Sequence, residues 1–233
     1  MNPELILRKE FEDLKHNPLS ISGYTIELFN QNDIYEWKII LKGAKDTPYS
    51  DGIFLIKLKF PKDYPKSAPG IFFLTRIYHM NVRRDDGFVG VNFIYEWKEK
   101  TSVREILTKL YSIFYLVNPK SPYDYGLARL YESDTNLYYL NAEKYTKQYA
   151  KNNNENIELN FMVNGEGKIC IINCNSNMII EGELRAKIER MMGIHLIDPL
   201  FIYDGRRLNE RLTLGENGLK NKGFVTIIHE VHY

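Results

Sequence analysis

Cysteine is scarce in this chain: its 233 residues hold two, Cys170 and Cys174, and the stretch from Met1 to Ile169 has none. That excludes a disulfide framework and removes thiolate chemistry from any site built in the first part of the chain. The two thiols have no His or third Cys beside them, too few donors for the four-ligand shell of structural zinc, so neither a metal site nor a cofactor is expected. Long apolar runs are missing as well. No segment nears the roughly 18 apolar residues that cross a bilayer, and the opening MNPELILRKEFEDLKHNP breaks its apolar positions with acids. The chain is therefore expected to be soluble and intracellular, in the cytoplasm, the nucleus or both, with no membrane partner. Surplus charge is absent too: Lys plus Arg number 31 and Asp plus Glu 30, which leaves no electrostatic footprint for a nucleic acid.

What is present reads as globular: 44% apolar and 26% charged residues, proportions that build a core and exclude wholesale disorder. The polar run from Lys151 to Asn156 divides two regions of clear apolar patterning. Before it, Leu7, Phe11 and Leu14 at helical spacing predict an amphipathic opening helix that His16-Asn17-Pro18 stops. Apolar runs over 24–29, 35–42, 52–60 and 70–74, parted by turn residues, predict an antiparallel meander. Ser102 suits the cap of a helix burying Val103, Ile106, Leu107, Leu110, Ile113 and Phe114, and two more helices are expected over 126–131 and 133–149. The fold class is thus α+β.

Beyond the divide, Ile157, Leu159, Phe161 and Val163 alternate, a Gly165-Glu166-Gly167 turn follows, and 168–174 returns as the second arm of a hairpin. The alternation puts Cys170, Ile172 and Cys174 on the inner face, where free thiols behave as small hydrophobes. Leu184, Ile188 and Met191 predict a helix closed by Gly193, and 199–203 and 224–231 read as further strands.

Residues 1–150 resemble the ubiquitin-conjugating (E2) core. The resemblance is carried by Phe60-Pro61-Lys62-Asp63-Tyr64-Pro65, Ile77-Tyr78-His79-Met80-Asn81, Gly87, Trp97, Asn118-Pro119 and the closing helices. Residues 157–233 resemble a ubiquitin-like β-grasp domain through Gly167-Lys168, the stretch 184–188, Gly193-Ile194, the stretch 201–208 and Leu212-Thr213-Leu214, with 151–156 as an Asn-rich linker. The first resemblance implies a UBC-like fold and transfer of ubiquitin from a cysteine thioester. In that family the nucleophile follows the His-Pro-Asn element, and here Gly90 occupies its position. Glycine carries no group that can be acylated. The chain is accordingly expected to be a pseudo-E2 and not an enzyme, with a degenerate site at Gly90, His79, Asn81, Asn92 and Ser121. Asn92 and Ser121 stand where the family often has acids, and Asn81 is expected to bond its own loop. Tyr64, Trp97 and Tyr111 are read as packing residues.

Partner surfaces depart from the family as well. Lys66 replaces an apolar residue of the E3-binding loop, Lys98-Glu99-Lys100 replaces Ser-Pro-Ala, and Leu5 and Ile6 fall where basic residues often dock the activating enzyme. In the second domain Ile202 and Ile228 match the ubiquitin recognition patch, whereas Thr226 and Asn164 replace a histidine and a leucine, and the end lacks Gly-Gly. The function these resemblances imply is an E2-variant fused to a ubiquitin-like domain, a binding or regulatory module that pairs with an active E2, ubiquitin or a ubiquitin receptor. Transfer of ubiquitin or a ubiquitin-like protein by the chain itself is one alternative. Proteasome or receptor adaptation through the ubiquitin-like domain is another.

Overall fold

The structure, a computed structural model, describes residues 2–229 apart from 22, 31, 90–96, 151–155, 165–166, 177, 211 and 216, and does not describe the side chains of Asn156 and Glu183. Gly90, Asn92, nearly all of the 151–156 run and the first two turn residues at 165–166 lie outside the described residues. The chain divides into two compact units, Met1–Lys151 and Asn152–Tyr233, each described by itself. Among the described residues no helix is long and apolar enough to cross a membrane.

The first unit opens with α1 (Pro3–His16). The Asn2 side chain accepts from Glu4 N, Pro3 supplies the favoured first helical residue, and Asn17 N closes the helix on Asp13 O at 2.7 Å. Leu7, Phe11 and Leu14 are all buried, each stabilising the fold by about 1.5–3 kcal/mol on transfer grounds. Four strands follow, β1 (Tyr24–Leu28), β2 (Glu36–Lys42), β3 (Ile53–Lys59) and β4 (Gly70–Phe73), paired antiparallel in sequence order. Their register aligns Ile26, Ile39, Ile56 and Phe73 in one row across the sheet. Trp37, wholly buried beside that row, satisfies its indole N–H on Ile34 O at 2.7 Å.

Next come α2 (Val103–Tyr111), a 3-10 turn at Ser112–Phe114, α3 (Tyr125–Ser133) and α4 (Thr135–Tyr149). Ser102 and Glu105 form a reciprocal capping box at the start of α2, and all six positions expected to be inward are buried. The end of α4 is fastened to the sheet by Ile53 N on Ala150 O, 2.8 Å.

The second unit holds β5 (Asn156–Val163), β6 (Ile169–Asn175), α5 (Arg185–Met192), β7 (Leu200–Tyr203), β8 (Arg206–Arg207) and β9 (Gly223–Ile228). They form a five-stranded sheet in the order β6-β5-β9-β7-β8, antiparallel except for the β5–β9 pair. β5 begins at Asn156, the last residue assigned to the linker. Cys170, Phe161, Val225 and Tyr203 make an inner row. Asp204 and Gly205, both at positive φ, turn β7 into β8, the geometry a two-residue hairpin needs.

One core expectation is corrected. Met191 is 52% exposed, and Leu184, Ile188 and Met192 pack instead. The spacing of four places Met192 over Ile188, whereas Met191 rotates towards solvent. Gly193, at φ 64°, ends the helix as expected.

Candidate functional site

The site residues that the structure describes gather where the segment 79–81 meets the loop 116–124. His79 is buried; its Nε2 bonds Leu116 O at 3.2 Å and its Nδ1 accepts Asn81 N at 3.1 Å. These partners fix a neutral ring with the proton on Nε2. Burial pushes its pKa down to about 4, against the smaller effect of the backbone carbonyls it bonds.

Asn81 is buried and spends its whole amide on the facing loop. Nδ2 donates to Asn118 O (2.8 Å) and Ser121 O (3.0 Å), and Oδ1 accepts Asn118 N (2.8 Å). The expectation that Asn81 bonds its own loop is corrected in part: its backbone N–H does so through His79, and its side chain bonds residues 37 and 40 positions away. Met80 completes the clamp, its carbonyl accepting Tyr123 N and Asp124 N and its N–H donating to Tyr138 Oη.

His79, Asn81 and Ser121 are therefore brought together, Ser121 through its carbonyl. The route toward Gly90 is anchored up to Val89, which bridges Val82 and donates to Ile71 O at 2.9 Å. Gly87 is required there: a Cβ on it would stand 1.8 Å from Phe73 O, and its φ is 74°. The acid at this end is Asp124, three positions beyond Ser121. Its carboxylate caps α3 through Leu127 N (3.0 Å) and pairs with Arg84 (2.9 Å). Sequence reading missed it, although an Asp just before a helical run is the usual signal of a cap.

A groove of about 950 Å³ lies between α1, the loop 63–66 and residues 99–104. Glu10 ties the three together by accepting Tyr64 Oη (2.7 Å) and Val103 N (2.5 Å). Trp97 Nε1 bonds Pro65 O at 2.9 Å, which agrees with a packing role for both aromatics. Lys66 and Lys100 line the groove as charges, while Ile6 and Leu5, the latter 64% exposed, supply an apolar wall from the helix.

In the second unit the strand register carries one continuous row across the outer face: Ile169, Met162, Thr226, Ile202 and Arg207. Ile228 lies on the same face opposite Leu200, so Ile202, Thr226 and Ile228 share a surface. The sequence reading missed its extent: Ile169, Ile171 and Phe224 are 60%, 54% and 45% exposed on that face. Their signal was the same alternation that sends Cys170 and Ile172 inward. Cys174 is buried, and Cys170 is partly so, its thiol pKa raised by desolvation.

Residues 6–146 match the model of the ubiquitin-conjugating enzyme family. Ubiquitin conjugating enzyme E2 B of Dictyostelium discoideum is 30% identical over 146 residues, which cover 62% of this chain and 96% of that protein. This overturns the expectation that the chain is not an enzyme, since the family and this relative are both described as conjugating enzymes. That expectation rested on Gly90, which lies outside the described residues, and on the lack of cysteine before Cys170, whereas the family match spans residues 6–146. The helix, the four-stranded meander and residues 6–146 together make this chain a member of the ubiquitin-conjugating enzyme family, a protein of the ubiquitin pathway.

Proposed function

We propose that the chain serves ubiquitin transfer as a docking member of its family, pairing with an active conjugating enzyme, with ubiquitin or with a ubiquitin receptor. The observation that carries this reading is where the sulfur lies: the family match ends at residue 146, and the chain's two cysteines sit on β6 beyond it. The clamped 79–81 segment supports it, because both N–H groups of the Asn81 amide are engaged by the facing loop. We read the second unit as ubiquitin-like. Its hairpin, its eight-residue helix α5 and its parallel β5–β9 pair favour that reading, with Ile202, Thr226 and Ile228 as a receptor-facing patch. A few apolar anchors of this kind dominate interface energies.

A second reading, in which the chain itself conjugates ubiquitin, is favoured by the length of the match through α3 and α4. One experiment separates the two. Activating enzyme, ATP, ubiquitin and an active conjugating enzyme are incubated with the chain or with its Cys170→Ala, Cys174→Ala variant. Docking is supported if both forms accelerate ubiquitin transfer by the partner equally. A reductant-sensitive ubiquitin adduct on the chain, lost in the variant, establishes the second reading, and no effect with no binding removes the first.

A further inference from the structure

Two serine or threonine residues of this chain are followed directly by proline, Thr47 and Ser121. Proline there has two effects: it has no backbone N–H to give, and its ring turns the residue before it away from the helical region toward an extended one. An extended residue with its side chain in solvent is what a transferase cleft accepts, so the two positions differ by what each hydroxyl already touches. Thr47 is engaged. Its Oγ1 donates to Ala44 O at 2.7 Å and accepts Tyr49 N at 3.2 Å, in a half-buried turn. Ser121 is exposed, and its hydroxyl has no partner among the described residues. The backbone around it is nonetheless fixed: its carbonyl accepts Asn81 Nδ2 at 3.0 Å, and Tyr123 N and Asp124 N both bond Met80 O. Pro119 stands two places before it, so prolines bracket the serine on both sides.

We propose that Ser121 is a phosphoryl-acceptor site for a proline-directed serine/threonine kinase. Oγ of Ser121 attacks the γ-phosphorus of magnesium-bound ATP, the bond from that phosphorus to the β–γ bridging oxygen breaks, ADP leaves, and the hydroxyl proton passes to the kinase's base. The product carries about −1.5 to −2 charges at neutral pH where the unmodified side chain carries none. The new anion joins a loop in which Asp124 already holds Arg84 at 2.9 Å, and it adds acceptor oxygens for cations there, the exposed Lys120 among them. Because the Ser121 carbonyl is one of the groups that close the Asn81 clamp, the charge is set at the edge of the candidate site.

The test incubates the full chain with magnesium-ATP and a proline-directed kinase, with a synthetic peptide of residues 115–127 as a second acceptor, and locates phosphate by peptide mass spectrometry. Phosphate is expected on Ser121 of the folded chain at least tenfold faster than on Thr47. Ser121→Ala abolishes this signal, and Ser121→Thr, which keeps a hydroxyl before proline, retains it. Pro122→Ala slows it at least tenfold in a variant whose tryptophan-detected unfolding midpoint shows it to be folded. Thr47 modified as fast as Ser121, incorporation unaffected by Ser121→Ala, a peptide that accepts phosphate while the folded chain does not, or no phosphate on either acceptor overturns the proposal.

Discussion

The two units hold together in different ways. In the first, the segment around His79 and Asn81 is fixed by hydrogen bonds to residues 37 and 40 positions distant, every polar atom of the Asn81 amide engaged. In the second, the architecture follows from alternation: inward Phe161, Val225 and Tyr203 against outward Met162, Thr226 and Ile202. The first arrangement is expensive to disturb at one polar atom, because a buried donor or acceptor left alone costs its desolvation. The second is expensive to disturb only at an inward apolar side chain.

Mutation can break that contrast, and the reporters separate the units, since both tryptophans, Trp37 and Trp97, belong to the first. The largest effect is expected from Phe161→Ala, a wholly buried aromatic of the second sheet, at about 4 kcal/mol. Hydrogen exchange should register this loss across β5 and β9 while the tryptophan-detected transition stays put; a shared shift would mean the units unfold as one. Asn81→Ala comes next, at about 3 kcal/mol, because Asn118 N and the carbonyls of Asn118 and Ser121 lose their partner together. A change below about 0.5 kcal/mol in the tryptophan-detected denaturation midpoint would show water replacing the amide without loss.

Acid sharpens the same comparison. The pKa of His79 in the folded chain is held down to about 4, below its ordinary value near 6.5, so the unfolded chain binds the proton first as pH falls. Its contribution is whole above pH 6.5 and is lost as pH falls towards 4. Between pH 6.5 and 5 the tryptophan-detected stability should drop by about 2 kcal/mol, a slope that His79→Gln flattens. The smallest effect is expected from Ser102→Ala, about 1 kcal/mol through loss of the α2 capping box, seen in the same transition.

These differences also mark what the sequence could reveal. The buried stripe of α1, the meander, the Ser102 cap and the alternation of Ile157, Leu159, Phe161 and Val163 are local patterns, and each stands where its period places it. Met191 went astray by one position because spacings of three and four look equally helical until a neighbouring element selects the face. The bonds from Asn81 to Asn118 and Ser121 were not legible, since contacts between distant loops leave no period in the chain. Asp124 was passed over in favour of Ser121 through alignment to a pattern, although its capping role was written in its position. Of the candidate site, His79, Asn81 and Ser121 were named from sequence, and their mutual clamp was not.

Single-turnover discharge from a ubiquitin-charged conjugating enzyme, run with increasing amounts of this chain, bears most directly on the docking reading. The account expects saturable acceleration that persists when Cys170 and Cys174 are both replaced by alanine and weakens when Leu5→Asp charges the apolar wall of the α1 groove. Discharge rates that never respond to the chain, or a response that vanishes with the two cysteines, would contradict it.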